Sequence, residues 1–104
     1  MSSDVRFHRL ARIELVDAIA HVEKARRGYG ARLEAEVDAM VERMVAHPHS
    51  GPLLAGYPPD LDARAFRLRT FRHALIAVEI GGERVVMAFA HERRRPGYWL
   101  DRVK

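Results

Sequence analysis

The hydrophobic rhythm of this chain changes most sharply at a stretch that neither a helix nor a strand can cross. Between His49 and Asp62 stand Ser50, Gly51, Pro52, Gly56, Pro58, Pro59 and Asp60. Proline removes a backbone donor and fixes φ, and glycine leaves the backbone unrestrained, so this density of breakers predicts the longest loop of the chain. Before the loop, apolar residues recur at steps of three and four, the period of a helix with one buried face. Ala11, Leu15, Ala18, Ile19 and Val22 make one such stripe, and Leu33, Val37, Met40, Val41 and Met44 make a second. After the loop the rhythm is that of strands. Arg64, Phe66 and Leu68 alternate with Arg67 and Arg69, and the runs 74–80 and 84–90 are almost wholly apolar, as in strands covered on both faces.

The punctuation between these segments fixes their connections. Val5 and Phe7 alternate with Arg6 and His8, which predicts a short first strand. The first helix, from Leu10, is predicted to end near Arg27, because Gly28 and Gly30 flank Tyr29 and glycine readily takes the left-handed conformation that closes a helix. The second, over 31–47, stops before Pro48. Gly81 and Gly82 supply the positive φ angles of a tight hairpin between the last two strands. The chain therefore reads as an α+β fold of two layers: an N-terminal strand, a helical hairpin, then a three-stranded antiparallel meander, all strands in one sheet. Leu75 and Ala77 alternate with Ile76 and Val78, so the third strand is apolar on both sides, which makes it central. The face away from the helices is then covered or bound.

With 104 residues and no shift in composition, the whole of 1–104 reads as one domain. No run approaches the roughly 18 apolar residues of a membrane span. The first residues show no basic segment followed by an apolar one, so no leader and a cytoplasmic location are expected. Absence of cysteine excludes disulfides, thiolate catalysis and cysteine-rich zinc sites. His47 and His49 flank a proline in the loop and do not form a ligand pair, and neither a metal nor a cofactor is called for. Net charge is +4, unevenly spread: residues 63–104 carry ten Lys/Arg against four Asp/Glu, and residues 1–62 eight against ten. A basic second half fits an anionic partner.

That charge is densest in the run His91, Glu92, Arg93, Arg94, Arg95, Pro96, Gly97, Tyr98, Trp99, directly after the last apolar strand. Guanidinium groups are rarely buried unpaired, so they are expected to project where the strand leaves its sheet and the chain turns at Pro96 and Gly97. Anion forks, one imidazole and two flat rings then lie within nine residues.

This order of elements, together with particular residues, resembles the RelE/ParE superfamily of type II toxin–antitoxin toxins, and more closely its ParE-like, plasmid-stabilisation branch. The resemblance runs over nearly the whole chain. It rests on the first helix from Ala11 to Val22, on Gly30, Ala31, Leu33 and Val37 opening the second helix, and on His47, Pro48, Gly51, Pro52 and Leu53 at its exit. The segment from Phe66 to Phe71, the two apolar strands, and His91, Arg93, Arg94, Pro96, Tyr98 and Trp99 complete it. The resemblance implies a small intracellular growth inhibitor made beside an antitoxin whose C-terminal segment wraps and silences it, the two forming a hetero-oligomer. ParE-like members poison DNA gyrase; RelE-like members cut messenger RNA on the ribosome. The ParE branch is the nearer, and a toxin fold with lost or different activity is the third reading.

Cutting RNA requires a base for the 2′-hydroxyl, charge stabilisation at phosphorus and an acid for the leaving oxygen. His91 and Tyr98 are the candidates for proton transfer in a metal-independent ribonuclease. Arg67, Arg69, Arg93, Arg94 and Arg95, with Trp99 as a stacking surface, are the candidates for holding phosphate or target. A gyrase poison needs only that basic surface and no acid or base, so the enzyme reading is the weaker. Arg64 borders the core. For the antitoxin, the small and apolar residues outside the core stripes are the candidates: Ala20, Ala35 and Val45 on the helices, and Leu53, Leu54 and Tyr57 in the loop.

Overall fold

A computed structural model describes residues 5–103. Met1 to Asp4 and Lys104, which the single-domain reading includes, lie outside the described residues. The strands are β1 (Val5–Phe7), β2 (Arg64–Arg67), β3 (His73–Ile80) and β4 (Glu83–His91), and the helices are α1 (Arg9–Ala25) and α2 (Tyr29–Ala46). They form one four-stranded sheet in the order β1-β4-β3-β2. The predicted meander is there: β2 pairs antiparallel with β3, and β3 with β4. The N-terminal strand departs from an all-antiparallel reading, since β1 lies parallel to β4, with Val5 opposite Arg84 and Phe7 opposite Val86. The reason is the helical hairpin between them, whose length of chain returns to the sheet's far edge after two reversals.

Both helix boundaries at the hairpin lie slightly earlier in the chain than the sequence suggests, with α1 ending at Ala25 and α2 beginning at Tyr29. Gly28 takes φ 90° as predicted, but the Glu23 carboxylate accepts from the Gly28 and Gly30 amides at 3.0 and 2.9 Å. Those are the orphan N–H groups at the start of α2, and satisfying them lets the helix begin at Tyr29. The stripes pack as expected: Ala11, Leu33, Val37 and Met44 are buried against Phe66, Leu75, Ala77, Val86 and Phe89 of the sheet. Gly81 and Gly82, at φ 58° and 81°, make the β3–β4 hairpin. The predicted strand over 63–70 shortens to four residues, because the Leu68 amide already closes onto the His73 carbonyl at 3.0 Å and the chain turns at 69–72.

The other sheet face has its own core. Ala65, Ala74, Ile76, Val78, Val85, Met87 and Ala88 are buried beneath Trp99, with Leu54, Tyr57, Leu61 and Tyr98 packed around them. The breaker-rich loop and the tail after β4 thus supply the cover that the apolar third strand called for. Alternation along β4 slips once: Met87 and Ala88 both face this outer core, and the β3 register shifts at Ile76/Ala77, the mark of a β-bulge.

Candidate functional site

The sheet end where β2 and β4 finish and β3 begins gathers most of the chemistry. Pairing places His73 opposite His91 and Arg67 opposite Ala74. The His73 ring stacks on Phe89 at 4.7 Å and meets the edge of His91 at 5.0 Å. Burial first, and then the neighbouring His91 and His21, hold the His73 imidazole below its usual pKa, and its Nδ1 is buried with no hydrogen-bond partner among the described residues. His91 Nδ1 accepts from the Arg93 amide at 3.1 Å, so the neutral ring carries its proton on Nε2.

A single carboxylate anchors the tail beyond β4. Past Phe7, β4 has no strand on its outer edge, and its backbone groups there need partners. Glu14 of α1 accepts from the Phe89 amide at 3.0 Å, and Arg102 donates to the Met87 carbonyl at 2.9 Å. The same Glu14 receives two bonds from Arg102, at 3.1 and 2.9 Å, and one from the Tyr98 hydroxyl at 3.0 Å. Partial burial works against the carboxylate's charge, but the bonds from Arg102, Phe89 and Tyr98 outweigh it and hold Glu14 below the ordinary range. Burial and that bond push the Tyr98 phenol up to about 12. The Arg94 guanidinium lies 3.8 Å from the Tyr98 ring centre, a cation–π contact that pins Arg94 to the anchored ring.

A second buried anchor holds the loop. Asp62 bonds Arg64 at 3.0 and 3.1 Å and Arg84 at 2.7 Å, and these bonds, Arg64's first, keep its pKa down at about 2 despite partial burial. Arg64 also donates to the His49 and Gly51 carbonyls. It is a tie between loop and strand, more than a residue at the border of the core.

With these groups accounted for, the arginines of 63–104 fall into two sets. Arg64, Arg84, Arg102 and Arg72 are ion-paired, with Asp62, Asp62, Glu14 and Glu92 respectively. Arg67, Arg69, Arg93, Arg94 and Arg95 are exposed and, among the described residues, have no carboxylate within ion-pair distance. Three hollows meet at the sheet end. A cleft of about 550 Å³ lies on the α1 side, lined by Asp17, His21, Phe71, His73, His91 and Arg94, among others. Arg67 and Arg72 border a hollow of about 360 Å³ at the edge. Arg67, Arg94, Arg95, His91 and Tyr98 border one of about 200 Å³ on the outer face.

The sequence candidates are thus only partly brought together. Arg67, Arg94, Arg95, His91 and Tyr98 share one hollow; Arg69 and Arg93 project from the turns beside it and line none of the three. Trp99 is a correction. It is 2% exposed, packed on Tyr57 at 5.1 Å in the outer core, and presents no face to a target. Of the antitoxin candidates, Ala20, Ala35 and Leu53 are exposed, whereas Val45, Leu54 and Tyr57 are half-buried in the two cores, and no single hollow unites the six. The sequence reading missed Ile13 and Val16, exposed at 44% and 58% on α1. With Ala20 they follow helical spacing, offset from the core stripe, which was the available signal. It also missed Glu14, His21 and His73, whose importance depends on contacts far away in the chain. Among the described residues no three His, Asp or Glu side chains come together to hold a metal ion, and no helix is long and apolar enough to cross a membrane.

No protein-family model matches this chain, and no curated protein matches it in sequence. A solved structure does: a chain of "Chromosomal ParDE TA system from P. aeruginosa" superposes with a TM-score of 0.65 at 16% identity, covering 84% of this chain and 92% of the other. The two chains share one fold. The α+β architecture that the RelE/ParE resemblance implies is therefore present.

Proposed function

We propose that this protein is the toxin of a type II toxin–antitoxin pair and that it acts, in the cytoplasm, by ParE-like poisoning of DNA gyrase. Two things support the first part: the motif resemblance along the chain and the fold shared with a chain of a ParDE system. The observation that carries the second is the contrast at the sheet end. Five guanidinium groups there, those of Arg67, Arg69, Arg93, Arg94 and Arg95, stand without an ion pair among the described residues, while the tyrosine a nuclease would use donates its hydrogen to Glu14 and sits at a pKa of about 12. A phenol so placed is a poor proton carrier at neutral pH. An anionic surface, by contrast, meets guanidinium forks already free to pair. The antitoxin, in a hetero-oligomer with this chain, covers the exposed apolar stripe Ile13, Val16 and Ala20 on α1 and reaches the exposed Ala35 on α2 and Leu53 in the loop.

The test is direct. Purified protein, freed of its antitoxin, is expected to inhibit gyrase supercoiling and to leave translated messenger RNA intact. Charge reversal of Arg67 with Arg95 abolishes the inhibition while thermal stability holds. Codon-specific cuts in translated message, with gyrase unaffected, would overturn the gyrase reading in favour of RNA cleavage. Normal growth on expression without the antitoxin would overturn the toxin reading itself.

A further inference from the structure

The cleft of about 550 Å³ between α1 and the sheet end borrows Glu14 from the tail anchor and Arg94 from the arginine surface, but most of its wall serves neither, and its size falls in the range of small-molecule sites. Its walls are of two kinds. Ala18, Val22, Phe71 and the buried Phe89 give it an apolar floor, and the half-buried rings of Phe71, His73 and His91 lie in its wall, His73 stacked over Phe89. Around them stand groups without a hydrogen-bond partner among the described residues: the Asp17 carboxylate, the His21 ring and His91 Nε2. Donors and an acceptor therefore converge on a cavity built for something flat.

From this geometry we infer that the cleft takes one unstacked base of a single-stranded DNA segment, with the flanking phosphates on Arg94 and Arg93. A base has a π-face for the rings and an edge carrying both donors and acceptors, which suits Asp17 together with the imidazoles. Other occupants fit less well. A peptide adding as a strand would need free backbone groups on β4, and those at Met87 and Phe89 are taken by Arg102 and Glu14. An acidic ligand would meet Asp17 and Glu14. A purely apolar one would leave the imidazoles and Asp17 without partners. The charge at the mouth completes the match, because Arg94 lines both this cleft and the outer hollow, so a strand leaving the cleft passes directly onto Arg67 and Arg95.

The inference rests on the docking reading in one respect, that this sheet end faces nucleic acid. Its test is binding alone, so its failure leaves the gyrase result untouched. Fluorescence anisotropy compares a short single-stranded DNA with an abasic chain of the same length and charge, and with an RNA of the same sequence. Intact DNA is expected to bind about tenfold more tightly than the abasic chain, the usual effect of one stacked base. Equal affinity for the two overturns the proposal, and RNA bound tenfold more tightly than DNA overturns its assignment to DNA. Ala18→Phe fills the cleft and is expected to erase the difference between intact and abasic DNA. Should that variant not fold, the ring resonances of His73 and His91 in the unaltered protein decide. They shift with intact DNA and stay in place with the abasic chain; identical shifts with both refute base insertion.

Discussion

Removing the Glu14 carboxylate tests the claim that one side chain fastens the tail to the body. In Glu14→Ala, Arg102, whose side chain is 12% exposed, loses both charge-assisted bonds, and the Tyr98 hydroxyl and Phe89 amide lose their acceptor. Breaking a fully buried pair costs about 3–5 kcal/mol. Glu14 keeps roughly a fifth of its side chain in solvent, so water partly replaces the lost partners and the expected loss is about 2–3 kcal/mol. In a domain of this size that lowers Tm by about 10 °C. Glu14→Gln retains an acceptor without the charge and is expected to lose about half as much. Urea unfolding gives the free energies, and a cycle with Arg102→Met isolates the pair. Phenolate absorbance supplies an independent readout. One of the three tyrosines titrates at about 12 in the parent and moves down toward the ordinary value of 10.0 in Glu14→Ala. The sign comes from the raised folded pKa: the Tyr98 bond adds stability up to pH 10.0 and loses it as the pH climbs through about 12. A loss below about 0.5 kcal/mol, the level of an ordinary surface change, with tyrosine titration unmoved would refute the anchor.

Three more outcomes rest on contacts elsewhere in the molecule. Asp62 sits at about 2 in the folded chain against an ordinary 3.8, so its pairing contributes about 1–2 kcal/mol above pH 3.8 that disappears as the pH falls toward 2; Asp62→Asn is expected to flatten that part of an acid-unfolding curve, and an unchanged curve would show the network to be idle. His73 has a folded pKa below 6.5, so the unfolded chain takes up a proton first and stability declines as the pH drops below 6.5; His73→Phe should lessen the decline in urea midpoints between neutral and mildly acid buffers, and an identical decline rejects the assignment. At Gly51 a Cβ would come within 2.8 Å of the Phe66 ring and 2.9 Å of the Ala65 carbonyl, so Gly51→Ala is expected to cost about 1–3 kcal/mol by denaturant unfolding, and a neutral result would mean the loop can lift off the sheet.

The legible parts of the fold were those set by local periodicity. The helix stripes, the paired glycines of the β3–β4 hairpin and the double-faced apolar strands each depend on neighbours within a few positions, and each is where the sequence places it. Parallel pairing of β1 was not legible, because three residues carry no signal of direction. The second core was legible only in part: the double-faced third strand called for a cover, and Tyr98 and Trp99 could cap the sheet or join the arginine surface they follow. Trp99 turns inward because the outer sheet face, rich in alanine, leaves room for a large ring. The candidate site was readable only as composition. Arg67, Arg94 and Arg95 share a hollow as the alternation and the tail suggested, but Glu14 looks like one more charge on a helix, and nothing within several residues of it hints at Arg102 88 positions away.

The excess of arginine in the second half becomes intelligible once the pairs are removed. Of the ten basic residues in 63–104, Arg64, Arg72, Arg84 and Arg102 are paired, Lys104 lies outside the described residues, and the remaining five are the free arginines of the sheet end. The tail anchor and the loop anchor each neutralise a half-buried carboxylate with buried or half-buried arginine, so they depend less on salt than exposed pairs. The five free arginines are exposed, and their contacts with an anionic partner weaken steeply as salt rises. Stability and target binding therefore respond to different variables on one small scaffold. On the proposed reading, substitutions at Glu14 or Asp62 act on the fold and reach the target only through the position of Arg94 or the loop, whereas substitutions at Arg67 or Arg95 act on target binding and leave the fold alone.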